Sequence, residues 1–189
     1  MARSEPCGAC LRHPPAFDRT RAALAYAFPL DRLIPRLKYH GQLAIASALG
    51  DCLVRAVETA PRPDRLIAMP LHPARLRARG FNQAGEIART LARRLQLPLD
   101  ATSCRRVRDT PPQMGLRRDV RRRNLHGAFV CTSDMRGLRI GIVDDVMTTG
   151  ASLDELAKTL RRAGAASVEA WVVARTPPAS DCASARSQP

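Results

Sequence analysis

The sequence predicts an α/β fold in which a mostly parallel sheet is flanked by helices. Two segments share one plan, in which a short apolar strand is followed by a polar turn and an amphipathic helix. The first runs from "DRLIAMP" through a basic loop to "FNQAGEIARTLARRLQL", and the second from "LRIGIV" to "SLDELAKTLRRAG". After the second helix, "SVEAWVVAR" is a strand rich in β-branched residues. Strand, helix and strand at this spacing imply parallel pairing through a right-handed crossover.

The remaining elements follow from apolar spacing. "RAALAYAF" is predicted to be a strand, and "PLDRLIPRLKYHG" a helix that Pro35 bends or restarts. "QLAIASALGDCLVRAVE" is predicted to be an amphipathic helix, and Gly164 is suited to end the last helix. The helices are expected to bury Leu30, Leu33, Ile34 and Leu37; Leu43, Ala46, Leu49 or Gly50, Leu53 and Val57; Ala84, Ile87, Leu91 and Leu95; and Leu153, Leu156, Ala157 and Leu160.

The chain of 189 residues is expected to form one main domain that buries about two-thirds of its unfolded surface. We predict an irregular appendage at residues 1–20, the domain itself at 21–175, and a disordered tail rich in Pro, Ser and Ala at 176–189. The sequence has no apolar run of the length, about 18 residues, that a membrane span needs. It also lacks the apolar core of a secretory signal, and its six scattered cysteines fit a reducing cytoplasm.

The formal charge is +14, from 31 basic and 17 acidic residues, and only Lys38 and Lys158 are lysines. Such a balance favours an anionic partner: a phosphorylated small molecule, nucleic acid or an acidic protein. Arginine suits bidentate contact with phosphate oxygens. Aromatic residues make up 4% of the chain, which argues against a platform for stacking single-stranded bases. Composition alone leaves open a basic surface that is simply solvated.

One stretch, "LRIGIVDDVMTTGAS" at residues 138–152, joins an apolar strand to two carboxylates and a hydroxyl-rich turn. Asp144 and Asp145 fall at the carboxyl end of the strand, where ligands bind in open α/β sheets. Gly150 permits a turn with positive φ, and the turn's N–H groups and the next helix N-terminus attract phosphate. Helix capping explains one or two of these residues but not the run. The carboxylates can accept hydrogen bonds from sugar hydroxyls, and the adjoining turn can bind a phosphate. Together they describe a site for ribose 5-phosphate.

The segment "IVDDVMTTGAS" resembles the phosphoribosyl pyrophosphate (PRPP) signature of type I phosphoribosyltransferases. Across residues 7–175 the chain resembles the ComF family of competence proteins. The matching pieces are "CGACLRHPPAFDRTRAALAY", "LIPRLKYHGQ", "MPLHPARLRARGFNQA" and "RVRDTPPQMGLRRDVRRRNLHGAF". The resemblance implies a Rossmann-like type I phosphoribosyltransferase fold and a PRPP ligand.

The resemblance also implies residue roles. Asp144 and Asp145 would hold the ribose hydroxyls and serve catalysis. The 5-phosphate would lie on Thr148, Thr149, Gly150, Ala151 and Ser152. The loop "PLHPARLRARG" would bind pyrophosphate through Arg75, Arg77 and Arg79, although a solvated basic turn is the alternative. The segment "RDTPPQMGLRRDVRRRN", which includes Arg121, resembles the mobile loop that closes over pyrophosphate, and a nucleic-acid backbone contact is its competing interpretation.

The implied reaction displaces pyrophosphate from C1 of PRPP by a nitrogen nucleophile. The implied cofactor is Mg²⁺, held mainly by the substrate's own oxygens. The acceptor pocket of this fold class is usually built by a variable hood segment. Here that segment would come from the N-terminal part, around Lys38 and Tyr39, and the sequence does not identify the acceptor. The alternative is a non-catalytic component of competence that responds to PRPP or binds DNA, suggested by the charge and the basic loops.

One feature departs from the ComF pattern. Cys7 and Cys10 resemble the last pair of a zinc module that normally carries several such pairs. A structural zinc site needs four ligands; His13 has the spacing of a third, and no fourth follows before Cys52. The sequence therefore predicts no complete zinc site within this chain alone. A late start relative to relatives, a lost metal and a site shared by two chains all remain open.

Overall fold

The computed structural model describes residues 14–109 and 125–176, together with Leu11. Its main sheet contains five parallel strands, β1 (Arg19–Ala25), β2 (Arg65–Ala68), β3 (Leu99–Asp100), β6 (Arg139–Met147) and β7 (Ser167–Arg175). Their spatial order is β1-β7-β6-β2-β3. A separate ribbon pairs β4 (Cys104–Arg106) antiparallel with β5 (Phe129–Cys131). The predicted α/β class with a mostly parallel sheet is confirmed.

Helices cover both faces of this sheet. They are α1 (Leu30–His40), α2 (Leu43–Val57), α3 (Pro73–Arg79), α4 (Gln83–Leu95) and α5 (Ala151–Arg162). One apolar cluster joins α1, α2 and α4 to the side of the sheet that carries Trp171. A second cluster joins α5 and the β4–β5 ribbon to the other side. The sheet is therefore the middle of three layers.

The strand order reverses direction between β2 and β6. From β2 the chain passes through α3 and α4 to β3 on one side, and from β6 it passes through α5 to β7 on the other. In open α/β sheets such a reversal opens a crevice beyond the carboxyl ends of the strands, and ligands bind there. We call the space beyond the carboxyl ends of β2 and β6 the crevice.

Most of the predicted elements are observed, with shifted ends. Most of the predicted helix positions are buried, but Leu33 and Leu95 are only partly buried, and the prediction for Leu43 is wrong, because this first residue of α2 is 48% exposed. α1 is one continuous helix in which Pro35 lies between the buried Ile34 and Leu37. β7 has the predicted bounds. β6 was expected at residues 138–143 but continues to Met147, because β7 supplies pairing partners as far as Arg175.

The basic loop predicted after β2 is wrong in its conformation, because residues 73–79 form the short helix α3. Pro73 occupies the first helical position, where its missing N–H costs nothing. The His72 side chain caps this end by accepting a hydrogen bond from the Ala74 N–H (3.3 Å). Gly80 ends the helix with φ +81°. Turn chemistry at both ends thus converts a basic segment with little apolar patterning into a helix.

The chain leading into β1 is attached to α5 and β7. Phe17 is buried in the apolar cluster on the α5 side, and the Ala16 N–H donates to Asp154 Oδ1 (2.8 Å). Asp18 accepts from the Val168 N–H (2.8 Å) and forms an ion pair with Arg161. These contacts connect residues 16–18 to the helix that follows Gly150. Cys7, Cys10, His13, Arg121 and residues 177–189 lie outside the described residues.

Helices α2 and α4 approach each other closely at Gly50. A β-carbon at this position would lie 2.7 Å from Thr90 Cβ and 2.8 Å from Thr90 Cγ2. Real Cβ atoms essentially never pack this tightly, and Thr90 itself is buried in α4. The absence of a side chain at Gly50 therefore sets the spacing of the two helices.

We expect Gly50→Ala to destabilise the protein. Overpacking costs about 1–3 kcal/mol, whereas better helix propensity returns only about 0.5–1 kcal/mol, so a net loss on the order of 1 kcal/mol should appear in urea unfolding. Gly85→Ala is the matched control, because a Cβ there meets Asn82 only at 3.5 Å. The control should be neutral or stabilising, and equal effects of the two substitutions would contradict the packing argument.

Candidate active site

Two adjacent carboxylates lie at the carboxyl end of β6. The last residue pair between β2 and β6 is Ala68 with Val143, so Asp144 onward continues beyond β2 and pairs only with β7. The side chains border the crevice, yet the residues Asp144 and Asp145 are only 8% and 3% exposed. Burying two carboxylates next to each other is costly unless each is compensated. Their surroundings show how this is done.

Asp145 is compensated by a lysine from another layer of the fold. Lys38 Nζ, from the last turn of α1, lies 2.6 Å from Asp145 Oδ2. No described group meets this oxygen with hydrogen-bond geometry, so the contact is a close ion pair. Burial acts to raise the pKa of Asp145, but Lys38 outweighs it and the pKa is lowered. Burial likewise acts to lower the pKa of Lys38, but Asp145 reverses this and the pKa is raised.

Asp144 is compensated in a different way. Burial and the neighbouring Asp145 carboxylate raise the pKa of Asp144 well above its usual range. Its Oδ1 accepts a hydrogen bond from the Asp145 N–H (2.8 Å), which only partly opposes that rise. Burial therefore dominates the pKa of Asp144, whereas Lys38 dominates the pKa of Asp145. The two carboxylates have the same chemistry but opposite titration behaviour.

The turn after β6 has the geometry of an anion cradle. Gly150 has φ +75° and directly precedes α5, whose first N–H groups have no partner within the helix. A β-carbon on Gly150 would lie 2.7 Å from Met147 Cε and 3.8 Å from Phe17 Cζ. The Ala151 N–H is held loosely by Thr149 Oγ1 at 3.4 Å. The α5 N-terminus and the nearby hydroxyls therefore favour an anion here.

Guanidinium groups border the crevice near Asp144. Arg75 Nε lies 3.3 Å from Asp109 Oδ1. Burial and the charge of Arg75 lower the pKa of Arg106, whereas Asp109 and Asp144 act in the opposite direction. Arg106 is thus a partly buried cation within electrostatic reach of both Arg75 and Asp144. Arg75 and Arg106 are therefore cations that could contact the phosphate oxygens of a ligand.

The three arginines predicted on the segment after β2 do not act together. Arg75 and Arg79 are four residues apart and both are partly buried, whereas Arg77 is exposed on the other face of α3. Arg79 stacks on Tyr39 (5.6 Å from Cζ to the ring centroid) and its Nη1 lies 2.5 Å from Gln83 Oε1. It lies close enough to Lys38 to affect its pKa. Arg75 and Arg79 therefore share the partly buried face of α3, and Arg77 lies on its exposed face.

Sequence reasoning missed the contacts made by Lys38, Arg106 and Phe17. Lys38 was expected near an acceptor pocket, and nothing in the sequence connected it to Asp145. One feature of the sequence singles out Lys38: only two of the 31 basic residues are lysines. Arg106 had no signal, since it is one arginine among many. Phe17 lies in the segment that was interpreted as an appendage, yet it packs beside the turn at Gly150.

The described residues offer no metal site of their own, since they contain no group of three or more His, Cys, Asp or Glu side chains placed to hold an ion. The two carboxylates at the carboxyl end of β6 are Asp144 and Asp145. Asp145 is already ion-paired with Lys38. A divalent cation fits here only together with a ligand that brings further oxygens, as Mg²⁺ does when bound with substrate phosphates. None of the described helices is long and apolar enough to cross a membrane.

Comparison with known proteins identifies the class. Residues 79–181 match the phosphoribosyl transferase domain, and the chain belongs to this family. It is 40% identical over 179 residues to the DNA utilization protein YhgH of Salmonella typhi, covering 92% of this chain and 79% of that one. It is 36% identical over 181 residues to Competence protein F of Haemophilus influenzae, covering 91% and 79%. The resemblance to the ComF family is thereby confirmed.

A solved structure of a purine phosphoribosyltransferase from Pyrococcus horikoshii also aligns with the chain. The two are 18% identical, the match covers 82% of this chain and 88% of that one, and the TM-score is 0.39. This similarity is too distant to add to the family assignment.

The two carboxylates should have opposite effects on stability. Because the folded pKa of Asp144 is raised, its ionisation destabilises the fold as pH rises above about 4. We expect Asp144→Asn, which keeps the oxygen that accepts from the Asp145 N–H, to stabilise the protein at pH 7.5. The gain should be on the order of 1 kcal/mol per pKa unit and vanish below pH ~4.

Asp145→Asn is the matched comparison. The lowered pKa of Asp145 means that its contribution is present above pH ~4 and is lost as pH falls through the folded value. The substitution also leaves Lys38 buried without its charge partner, so we expect a loss of about 3 kcal/mol at pH 7.5. Urea unfolding at pH 4 and pH 7.5 measures both effects, and equal effects of the two variants would contradict the assignment.

Proposed function

We propose that the crevice binds PRPP with Mg²⁺, and that the protein transfers the phosphoribosyl group to a nitrogen acceptor and releases pyrophosphate. The observation that carries this proposal is the pairing of two buried carboxylates with the Gly150 turn at one sheet edge. A ligand that satisfies both must present hydroxyls and a phosphate a few ångströms apart, as ribose 5-phosphate does. Membership in the phosphoribosyl transferase domain family supports the same ligand.

The ribose 5-phosphate half would occupy the end of β6 and the start of α5. Asp144 and Asp145 would accept hydrogen bonds from the ribose hydroxyls. The N–H groups of the turn and the α5 N-terminus would hold the phosphate, together with hydroxyls at Thr148, Thr149 and Ser152. Gly150 would let the phosphate approach the backbone, because a side chain there would meet Met147.

The pyrophosphate half would lie toward the arginines. Arg106 lies within electrostatic reach of Asp144, and Arg75 lies within reach of Arg106. Charge-assisted contacts of such guanidinium groups with phosphate oxygens are strong where water is excluded. Bound Mg²⁺ would neutralise charge on the leaving pyrophosphate, with most of its ligands being substrate oxygens and water. Asp144 and Asp145 would contribute to holding this complex through the ribose hydroxyls. Arg121, outside the described residues, stays a prediction for this half.

Transfer would break the bond from C1 to the pyrophosphate oxygen and form a bond from C1 to the acceptor nitrogen. Positive charge develops on the ribose in such a displacement. Asp145 is suited to stabilise it, because Lys38 keeps this carboxylate ionised even though it is buried. A preorganised charge in a water-poor site is worth more than the same charge in water.

Binding of PRPP is the first test. Isothermal titration of the wild-type protein with PRPP and Mg²⁺ should give saturable binding, because the turn and the carboxylates recognise different ends of the ligand. Charge-assisted hydrogen bonds contribute about 1.5–3 kcal/mol each, so the double variant Asp144→Asn, Asp145→Asn should bind at least about 100-fold more weakly. Arg136→Ala is the control, since Arg136 is exposed before β6, at the opposite end of the strand. Its affinity should be unchanged.

The two neighbouring arginines of β4 provide a sharper test of the leaving-group side. Arg106 is partly buried near Asp144, whereas Arg105 is exposed. Arg106→Gln should weaken the binding of pyrophosphate with Mg²⁺ by about tenfold, the effect expected from one charge-assisted contact. Arg105→Gln has the same loss of charge and should change the affinity less than twofold. Equal losses in both variants would indicate only a general charge effect.

Catalysis and the DNA alternative are separated by two further measurements. Release of pyrophosphate that requires both PRPP and an added nitrogen acceptor would support transfer. The relatives' names concern DNA and competence, and the +14 charge of this chain is the feature that favours a similar partner. If arginines contacted a DNA backbone, duplex affinity would fall by orders of magnitude between ~50 and 200 mM salt. Such binding in a protein that ignores PRPP would overturn the proposal.

A further inference from the structure

The β4–β5 ribbon places two cysteines directly opposite each other. Cys104 pairs with Cys131 in the register of the two strands. The flanking backbone bonds are Val107 N–H to Ala128 O and Thr132 N–H to Ser103 O, both 2.9 Å. Hydrogen-bonded pairs alternate along an antiparallel ladder. Ser103 with Thr132 and Val107 with Ala128 are therefore hydrogen-bonded pairs. Cys104 with Cys131 comes directly after Ser103 with Thr132 in the ladder, so it is a non-hydrogen-bonded pair.

This class of pair brings side chains closest together. The Cα atoms of a non-hydrogen-bonded pair lie about 4.5 Å apart, and protein disulfides span Cα separations of about 4.4–6.8 Å. Both cysteines are free thiols. Burial is the largest cause that raises the pKa of Cys104, and the Cys131 thiol raises it further. The two sulfurs are therefore near neighbours. The backbone spacing thus suits a bond without rearrangement of the ribbon.

The two thiols differ in access. Cys104 is 8% exposed and belongs to the apolar cluster below the ribbon. Cys131 is only partly buried, and its Sγ lies 3.3 Å from the Ser133 carbonyl oxygen. A reagent in solution therefore reaches Cys131 first, and Cys104 is poised behind it as the second thiol.

We propose that Cys104 and Cys131 form a redox modification site, which a small disulfide such as oxidised glutathione converts into a cross-strand disulfide. The Cys131 thiolate attacks one glutathione sulfur and releases one reduced glutathione. Cys104 then loses its proton and attacks Cys131 Sγ in the mixed disulfide, which releases the second glutathione. Two protein thiols become one disulfide while one glutathione disulfide becomes two thiols, so no other reactant is needed. Excess reduced glutathione reverses both steps.

The position of the pair gives the modification a structural consequence. Arg106 and Phe129 are the next non-hydrogen-bonded pair on the same face of the ribbon, and the Arg106 guanidinium stacks on the Phe129 ring at 5.6 Å. Arg106 is also within electrostatic reach of Asp144. Oxidation therefore places a covalent cross-link one pair away from a cation that borders the crevice. The chemistry of the pair itself does not depend on the proposed function.

Peptide mapping of the full chain tests this site. The native protein is incubated with oxidised glutathione, quenched with acid and alkylating reagent, and digested with trypsin without reduction. Cleavage at arginine separates Cys104, in residues 95–105, from Cys131, in residues 124–136. We expect these two peptides joined, with two hydrogens fewer than their sum, in about tenfold excess over their separate glutathione adducts, because the second step is intramolecular. Reductant should remove the joined species.

Three variants complete the test. Cys104→Ser should stop at a glutathione adduct on Cys131, and Cys131→Ser should leave Cys104 largely unmodified. Cys52→Ser should give the joined peptide as in the wild type, since Cys52 is on α2. The proposal is overturned if native wild-type protein shows both thiols alkylated, carries separate adducts, or forms the joined peptide only in denaturant.

Discussion

The ion pair between Lys38 and Asp145 is the interaction on which the candidate site depends. Two adjacent carboxylates cannot both be buried and ionised without a compensating charge. Lys38 supplies that charge to Asp145 from a helix on one face of the sheet, whereas burial and the Asp145 carboxylate raise the pKa of Asp144 well above its usual range. The result is a sheet edge at which two adjacent carboxylates have pKa values shifted in opposite directions.

The topology explains why this edge is available. β6 extends past the end of β2, and the strand order reverses between them, so the last residues of β6 have a neighbour on one side only. A strand paired on both sides would leave no room for a ligand beside Asp144 and Asp145. Residues 16–18 pack against the turn that follows β6. Phe17 lies beside Gly150, and the Ala16 N–H donates a hydrogen bond to Asp154.

The β4–β5 ribbon adds the second charged border of the crevice. It stands outside the main sheet and packs on the α5 side, where Phe129 and Cys104 contribute to the apolar cluster. Its register brings Arg106 toward Asp144 and sets Cys104 opposite Cys131. A cation within electrostatic reach of Asp144 and a pair of thiols thus share one face of a very short element. Any change in the spacing of its strands acts on both.

The α/β class, most of the helical faces and the position of Asp144 and Asp145 before the turn at residues 148–150 could be predicted from the sequence, because they depend on periodicity and on residue chemistry within one segment. The tertiary structure alone decided which charges meet. Lys38 lies more than a hundred positions from Asp145, Arg106 is one of many arginines, and Phe17 precedes the first strand; no local pattern specifies their contacts. The helical state of residues 73–79, by contrast, is set locally, by Pro73, the His72 cap and Gly80 rather than by hydrophobic periodicity. Local signals specify elements, whereas the pairing of distant charges follows from how the layers pack.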